Sequence, residues 1–179
     1  MRPMLPGIDT LGQHLEELQL NPESYRPEVC PHCGKAGLWI HGTYKRKCDR
    51  EGVGEACLNP IPIPRFYCPD CLHTCSVLPE CIAPRRWYLW VIQQMAILWH
   101  LAGMSFAKIA ERIAPHEDTV WRWWKSLHTG FAEHSFHLRN LCSRFGVHQT
   151  VKSFWQAILA ECSLAQAMRF LNASGVCVP

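Results

Sequence analysis

Two pairs of cysteines stand out in this chain, Cys30-Pro-His-Cys33 and Cys68-Pro-Asp-Cys71. A two-residue spacer lets a tight turn present two thiolates to one ion, and zinc is bound by four such ligands at about 2.3 Å in a tetrahedron. Gly34 follows the first pair and allows the backbone dihedrals that the end of such a turn requires. We therefore predict a zinc ribbon in which Zn²⁺ is bound by Cys30, Cys33, Cys68 and Cys71.

The sequence leaves two other uses of these cysteines open. The order Cys-Pro-His-Cys also resembles the active-site motif of thioredoxin-like disulfide oxidoreductases, which begins a helix in a fold of strands and helices. A second C-x-x-C pair and the absence of alternating strand and helix patterns around either pair disfavour redox catalysis. The other alternative is a set of reduced, buried thiols without a metal.

Several cysteines lie outside these pairs, since the chain has eleven in all. Some of them could form a different ligand shell or a second site with nearby histidines: Cys48, Cys57, Cys75, Cys81, His32, His41 and His73. Their spacing is irregular, so we expect buried or incidental cysteines, with His32 and His73 facing solvent. The N-terminus lacks the apolar stretch of an export signal, so we expect a cytoplasmic protein whose thiols stay reduced.

A second candidate site consists of two helical segments in residues 105–127. Ser105 can cap the first helix. The inner face of that helix consists of Phe106, Ile109, Ala110 and Ile113. Pro115 should end this helix by forcing the preceding residue out of helical dihedrals, and a second helix should begin near Glu117. Two helices joined by a short turn are typical of a helix-turn-helix.

The second helix has an apolar face and a polar face. Its apolar residues follow the spacing of a buried stripe: Val120, Trp123, Trp124 and Leu127. We expect the opposite face to bind double-stranded DNA through Thr119, Trp121, Arg122 and Lys125. In this arrangement Arg122 reads base edges and Lys125 binds phosphate. Glu117 and Asp118 would repel phosphate, so an ordinary helical hairpin with a solvated charged face is the alternative.

Basic and aromatic residues alternate in the cysteine-rich segment as well. The net charge of +3 is too small by itself to indicate a nucleic-acid partner. However, Lys45, Arg46, Lys47, Arg50 and Arg65 lie on or beside two predicted strands, among Tyr44, Phe66 and Tyr67. Such a mixture is typical of nucleic-acid-binding surfaces, and we predict DNA contacts for Lys45, Arg46, Lys47 and Arg65.

The elements that must position these residues divide the chain into four segments. Residues 1–25 form a helical arm and linker, 26–83 the zinc ribbon, 84–130 the helix-turn-helix segment and 131–179 a C-terminal helical segment. The predicted fold class is therefore α+β, with a small β zinc ribbon followed by a mainly α-helical domain.

Within the ribbon, residues 37–47 and 61–67 have strand composition. Pro62 and Pro64 place the second strand at the edge of its sheet, and residues 49–59 form a surface excursion.

The helical half of the chain contains periodic segments at 87–101, 105–113 and 119–127, with further helices within 131–145 and 151–172. Residues 87–104 are apolar over nearly the length of a membrane span. The central Gln93 and Gln94 would be costly in lipid, so we expect a helix buried among other helices and no membrane contact.

Taken in order, these motifs resemble the N-terminal region of bacterial insertion-sequence transposases and related stand-alone proteins. The resemblance covers roughly residues 30–127 and rests on Cys-Pro-x-Cys-Gly, on residues 40–46 and 65–74, and on Leu78-Pro79 and Pro84-Arg85-Arg86. It implies that the four cysteines bind zinc and that the helix containing Arg122 binds transposon ends. Two features depart from the pattern: a long, cysteine-rich loop at 48–59, and Cys75 in place of an aromatic residue.

Catalysis by transposases requires three acidic residues on a ribonuclease-H-like domain, whereas only Glu133 and Glu161 follow Leu127. We therefore expect a non-enzymatic, zinc-dependent DNA-binding protein related to transposases, which binds transposon ends or acts as a regulator. The alternative is a zinc-ribbon protein-interaction module or accessory subunit. In either case the C-terminal helices could form a homodimer or bind a protein partner. An apolar face for a partner could consist of Phe154, Trp155, Ile158, Leu159 and Leu171, although such residues more often form core.

Overall fold

The computed structural model of the chain describes residues 4–48, 57–84, 88–141, 145, 147–176 and 178. The chain divides into two compact units, Met1–Tyr88 and Leu89–Pro179, here called the cysteine-rich unit and the helical unit. The first contains all the strands that are described and the second is helical, so the predicted α+β class is confirmed. Most of the predicted excursion, including Arg50, lies outside the described residues, as does the Arg85-Arg86 pair.

The cysteine-rich unit contains five short strands and one α-helix within its described residues. In chain order these are β1 (Met4–Leu5), α1 (Leu11–Leu20), a 3-10 helix (Pro22–Tyr25), β2 (Trp39–Arg46), β3 (Ile61–Tyr67), β4 (Thr74–Cys75) and β5 (Leu78–Pro79). An antiparallel sheet has the order β2-β3-β4, and β1 pairs with β5 in parallel. The register of β2 on β3 shifts between Ile40 and Thr43, where Gly42 adopts a φ of 79°.

The prediction that Pro62 and Pro64 place their strand at an edge is wrong, because β3 is the central strand of the sheet. Strand β4 pairs with β3 only at Phe66 and Tyr67. The Pro62 carbonyl bonds to the ring of His14 on α1, so the backbone groups of Pro62 point away from β2. Pro64 lies two residues further along the strand, so its backbone groups also point away from β2. Neither proline therefore removes a hydrogen bond from the β2–β3 ladder.

Helix α1 is attached to the sheet through a buried histidine. Thr10 caps the helix and forms a capping box with Gln13. Nε2 of His14 lies 2.8 Å from the Pro62 carbonyl oxygen, which can only accept, so Nε2 carries the proton. The other ring nitrogen then accepts from the Tyr25 hydroxyl at 2.6 Å. Both ring nitrogens of this buried imidazole therefore have hydrogen-bond partners. Burial lowers the pKa of His14.

The helical unit contains six helices within its described residues: α2 (Trp90–Leu101), α3 (Phe106–Ala110), α4 (Glu117–Thr129), α5 (Phe131–Leu138), α6 (Val151–Glu161) and α7 (Leu164–Ala173). Helices α2, α3 and α4 pack on one another. Ser105 caps α3, as predicted. The helix ends at Ala110, earlier than expected, and the chain continues in a turn in which the Ile109 carbonyl accepts from the amides of both Arg112 and Ile113.

The core of the helical unit is apolar and aromatic. Its fully buried members include Trp90, Ile97, Phe154, Trp155, Ile158 and Leu171. Four of the five residues considered for a partner-binding face, all except the half-buried Leu159, therefore form core. Among the described residues, no helix combines the length and apolarity needed to cross a bilayer.

Candidate metal centre

The four cysteines of the two C-x-x-C pairs come together in the cysteine-rich unit. Their sulfur atoms all lie within 4.8 Å of one another. Cys30 and Cys71 are 3.6 Å apart at their sulfurs, as are Cys33 and Cys68. Four sulfurs bound at about 2.3 Å to one tetrahedral ion would be about 3.8 Å apart, whereas a disulfide requires about 2.05 Å. The cluster therefore fits one metal ion held by four thiolates, and all four cysteines are free.

Two nearly identical turns present these thiolates. In the first, the Gly34 amide bonds to the Cys30 carbonyl at 2.8 Å. In the second, the Leu72 amide makes the same bond to Cys68 at 2.9 Å. Each turn then passes through the left-handed region, with φ of 75° at Gly34 and 59° at Leu72. The predicted role of Gly34 is confirmed, while the second turn has a leucine at the corresponding position.

Backbone amides near the sulfurs favour their ionised form. The His32 amide lies 3.4 Å from the Cys30 sulfur. Burial raises the pKa of Cys30, but hydrogen bonds from the backbone amides of His32 and Cys33 and from neighbouring thiols lower it to about 7. The His73 amide lowers the pKa of Cys71, yet burial and the three neighbouring sulfurs raise it to about 12. Four thiolates in this space repel one another, so a bound cation is needed to hold them all ionised.

The four-sulfur cluster is partly built into a small hydrophobic core. Its buried members are Tyr25, Cys30, Leu38, Phe66, Cys68, Cys75 and Val77. Two metal-site cysteines are thus themselves part of the core, so the site and the packing of this unit depend on each other. Cys75 is not in the four-sulfur cluster, and burial, with the nearby Cys30 and Cys68 charges, raises its pKa to about 11.

Other potential ligands stay outside the centre. His32 and His73 are exposed, as predicted, and their rings stack across the two turns at 4.7 Å. Cys48 and Cys81 are buried. Burial, followed by the charge of Cys48, raises the pKa of Cys81 to about 12. In the part of the chain that the structure describes, no second group of three metal-ligating side chains comes together.

The basic residues predicted for DNA contact on the strands differ in their surroundings. Lys45 and Lys47 are exposed. Arg46 is half-buried, and its guanidinium donates to the Ala83 carbonyl at 2.7 Å, so part of its hydrogen-bonding capacity serves the fold. The guanidinium carbon of Arg65 lies 5.1 Å from the centre of the Tyr44 ring, a cation–π contact on the β2–β3 hairpin.

On α4, the predicted division into two faces is observed. Val120, Trp123 and Leu127 are buried and Trp124 is half-buried. The residues predicted for DNA contact lie on the other side: Trp121, Arg122 and Lys125 are exposed and Thr119 is half-buried. The Lys125 ammonium lies 4.6 Å from the centre of the Trp121 ring. Asp118 is also exposed and lies 3.5 Å from His116, which caps the helix.

Residues 30–123 match the family described as Domain of unknown function (DUF6431). The match covers more than half of the chain. The chain belongs to the DUF6431 family. The DUF6431 segment begins at Cys30, includes all four cysteines of the centre and ends at Trp123 within α4. No curated protein and no solved structure matches the chain significantly.

One feature of the DUF6431 segment was missed by sequence reasoning. Trp39 and Ile40 on β2 are 62% and 65% exposed, although both are apolar residues of a strand. Trp39 lies on the same sheet face as its partner Tyr67. The available signal was the absence of acidic residues from the two strands, which leaves these apolar side chains among basic ones.

Proposed function

We propose that the chain is a zinc-dependent DNA-binding protein, related to insertion-sequence transposases and without a catalytic domain of its own. The observation that carries this proposal is the cluster of four cysteine sulfurs. A tetrahedral all-thiolate site suits Zn²⁺, which prefers this geometry and has no redox chemistry. Bound zinc would neutralise thiolate charge, while Cys30, Cys33, Cys68 and Cys71 hold the two turns together.

Metal analysis of the purified protein tests the identity of the ion. We expect one zinc per chain, lost when Cys68 and Cys71 are both changed to Ser. Cys162→Ser is the matched control, because Cys162 is half-buried in the helical unit, away from the four-sulfur cluster. Iron in place of zinc, or zinc retained by the double variant, would contradict the proposal.

The exposed face of α4 supports the DNA part of the proposal. Helices α3 and α4 pack on each other and are joined by a short turn, an arrangement compatible with a helix-turn-helix. Arg122 and Lys125 project from the exposed side, where guanidinium and ammonium groups can contact bases and phosphates. Neutralising phosphates releases counterions, so binding should weaken as salt increases.

Electrophoretic shift with duplexes of mixed sequence at low salt tests DNA binding. We expect Arg122→Ala to weaken binding by about 1–3 kcal/mol and Lys125→Ala to reduce the salt dependence. Arg139→Ala is the control, since Arg139 is an exposed cation at the end of α5. Absence of any shift at low salt, or equal effects of all three substitutions, would disprove binding through α4.

Selection of bound duplexes from a random pool tests the relation to transposases. We expect a preferred sequence that resembles the terminal repeats of a mobile element. Recovery of duplexes with no shared sequence would contradict end recognition and leave a non-specific DNA-binding protein. Pairing of two chains through the C-terminal helices stays a prediction, and sedimentation analysis measures it directly.

A further inference from the structure

The β2–β3 hairpin carries an aromatic strip on one face of its sheet. Directly opposed residues of an antiparallel pair point to the same side, so Trp39 and Tyr67 share a face, as do Tyr44 and Ile63. Alternation along β3 adds Arg65 to that face. The ring of Tyr67 lies 6.4 Å from that of Trp39 and 5.8 Å from that of His41, which is next to the register shift. The aromatic strip is defined as Trp39, His41, Tyr44, Arg65 and Tyr67.

This strip is accessible to a ligand. Trp39 is 62% exposed and His41 is exposed, while Tyr67, Arg65 and Tyr44 are half-buried. Tryptophan is a costly residue to leave in water, because its large apolar surface gains free energy when it is covered. The exposed rings of Trp39 and His41, with Tyr67 and Arg65 beside them, therefore form a row of flat surfaces that a ligand can cover. The face is covered at the Tyr44 end, where Ile63 is fully buried.

The charge of the hairpin indicates what kind of ligand fits. Strands β2 and β3 contain no Asp or Glu, and they carry Lys45, Arg46 and Arg65, with Lys47 directly after β2. By the same alternation Lys45 and Lys47, which are exposed, lie on the opposite face of the two strands. Flat aromatic and guanidinium surfaces on strands that carry cations and no carboxylates are complementary to a polyanion that has planar groups. Single-stranded nucleic acid is such a polymer, since its bases stack on aromatic side chains while cations follow its backbone.

We infer that the aromatic strip binds unpaired bases of single-stranded DNA by stacking. The inference rests on the proposed DNA-binding function and adds a second class of DNA structure to it. In a duplex the base faces are covered by neighbouring bases, so a flat row of rings has nothing to stack on. Unpaired bases leave these faces open, and the strip is therefore selective for strand ends or opened segments.

Fluorescence anisotropy of the full zinc-containing chain tests the inference. The probes are a labelled oligothymidylate of about 12 nucleotides, within the usual site size for single strands, and a labelled duplex of mixed sequence. We expect Trp39→Ala to weaken binding of oligothymidylate by about tenfold or more, because stacking of one base contributes roughly that much. Trp39→Phe, which keeps an aromatic face, should retain most of the affinity. Leu20→Ala is the control, since Leu20 is also a largely exposed apolar residue and lies at the end of α1.

Comparison of the two probes separates this inference from the proposed function. Duplex binding that is weakened by Arg122→Ala and unchanged by Trp39→Ala, together with the tenfold loss for oligothymidylate, supports both. Duplex binding without oligothymidylate binding overturns the inference alone, and failure to bind either probe overturns both. Two further outcomes would overturn the inference.

The first is an equal loss of oligothymidylate binding in Trp39→Ala and Leu20→Ala. The second is a change in self-association of Trp39→Ala without any effect on DNA binding, because the aromatic strip would then be an interface between copies of the chain. Unchanged zinc content and circular dichroism establish that the variants are folded.

Discussion

The two compact units of this chain are stabilised in different ways. The cysteine-rich unit has a small core in which Cys30 and Cys68 are themselves buried members. The helical unit instead buries large apolar side chains such as Trp90, Phe154 and Trp155. A small core contributes little stability by itself, so small domains commonly depend on a metal. We therefore expect folding of the first unit to be coupled to metal binding and folding of the second to be independent of it.

Removal of the metal should give the largest effect. Structural zinc contributes roughly 10–16 kcal/mol of binding free energy that is coupled to folding. We expect chelation to unfold the cysteine-rich unit and to leave the helical unit folded. Hydrogen exchange followed residue by residue would show lost protection in β2 and β3 and retained protection in α2 and α6. Simultaneous loss of protection in both units would contradict this separation.

A large core substitution should produce the opposite pattern. Trp155 is fully buried and contacts the rings of Phe154 and His134. Trp155→Ala should destabilise the helical unit by about 3–5 kcal/mol, because it removes apolar contacts and leaves a cavity, while zinc content stays at one per chain. The exposed neighbour Gln156 provides the control through Gln156→Ala. Loss of zinc in Trp155→Ala, but not in the control, would show that the two units fold together.

Acidification should affect the helical unit through one buried histidine. Burial lowers the pKa of His134, an effect that the charge of Glu133 opposes and that of His137 reinforces. The unfolded chain, with an ordinary pKa near 6.5, therefore binds the proton at higher pH than the folded chain does. The contribution of His134 to the free energy of unfolding is complete above about pH 6.5. It decreases as the pH falls, by up to about 1.4 kcal/mol per pH unit.

Urea unfolding of the helical unit at pH 7.5 and 5.5 measures this dependence. His134→Phe keeps an aromatic ring beside Trp155 and should flatten the pH dependence. The comparable histidine of the other unit, His14, is less suitable for the test, because the thiolates of the metal centre are also protonated at low pH. If the pH dependence of stability is the same in His134→Phe as in the unaltered chain, other titratable groups cause it.

The smallest effect is expected at the two metal-binding turns. Gly34 and Leu72 occupy equivalent left-handed positions. For a residue with a Cβ, this backbone conformation costs about 1–2 kcal/mol of folding free energy. A Cβ at Gly34 would meet no atom within 4 Å, so Gly34→Ala tests the backbone conformation alone. We expect Gly34→Ala to destabilise the cysteine-rich unit by about 1 kcal/mol and Leu72→Gly to stabilise it by a similar or smaller amount.

Thermal unfolding with zinc bound measures both variants. Leu72 is 70% exposed, so its replacement removes little packing. Destabilisation by Leu72→Gly would show that this side chain contributes contacts that outweigh the strain of its backbone. Leu72→Ala separates the two effects, since it removes the side chain and keeps the strained conformation.

Features that depend on a few neighbouring residues could be predicted from the sequence. The spacing of Cys30 and Cys33 defines a turn that presents both sulfurs to one site, whatever surrounds it. Ser105 caps its helix through a hydrogen bond that spans only three residues. The apolar and polar faces of α4 follow from its helical period in the same way. These predictions were confirmed because their physical causes are local.

Features that depend on distant partners required the tertiary structure. Two prolines indicated an edge strand, but only the contact of His14 with Pro62, 48 residues away, shows how a central strand accommodates them. The apolar residues Phe154 and Trp39 have similar hydrophobicity, yet the first is fully buried and the second is 62% exposed. Burial is decided by which elements pack together over long separations in sequence, and the composition of one segment does not contain that information.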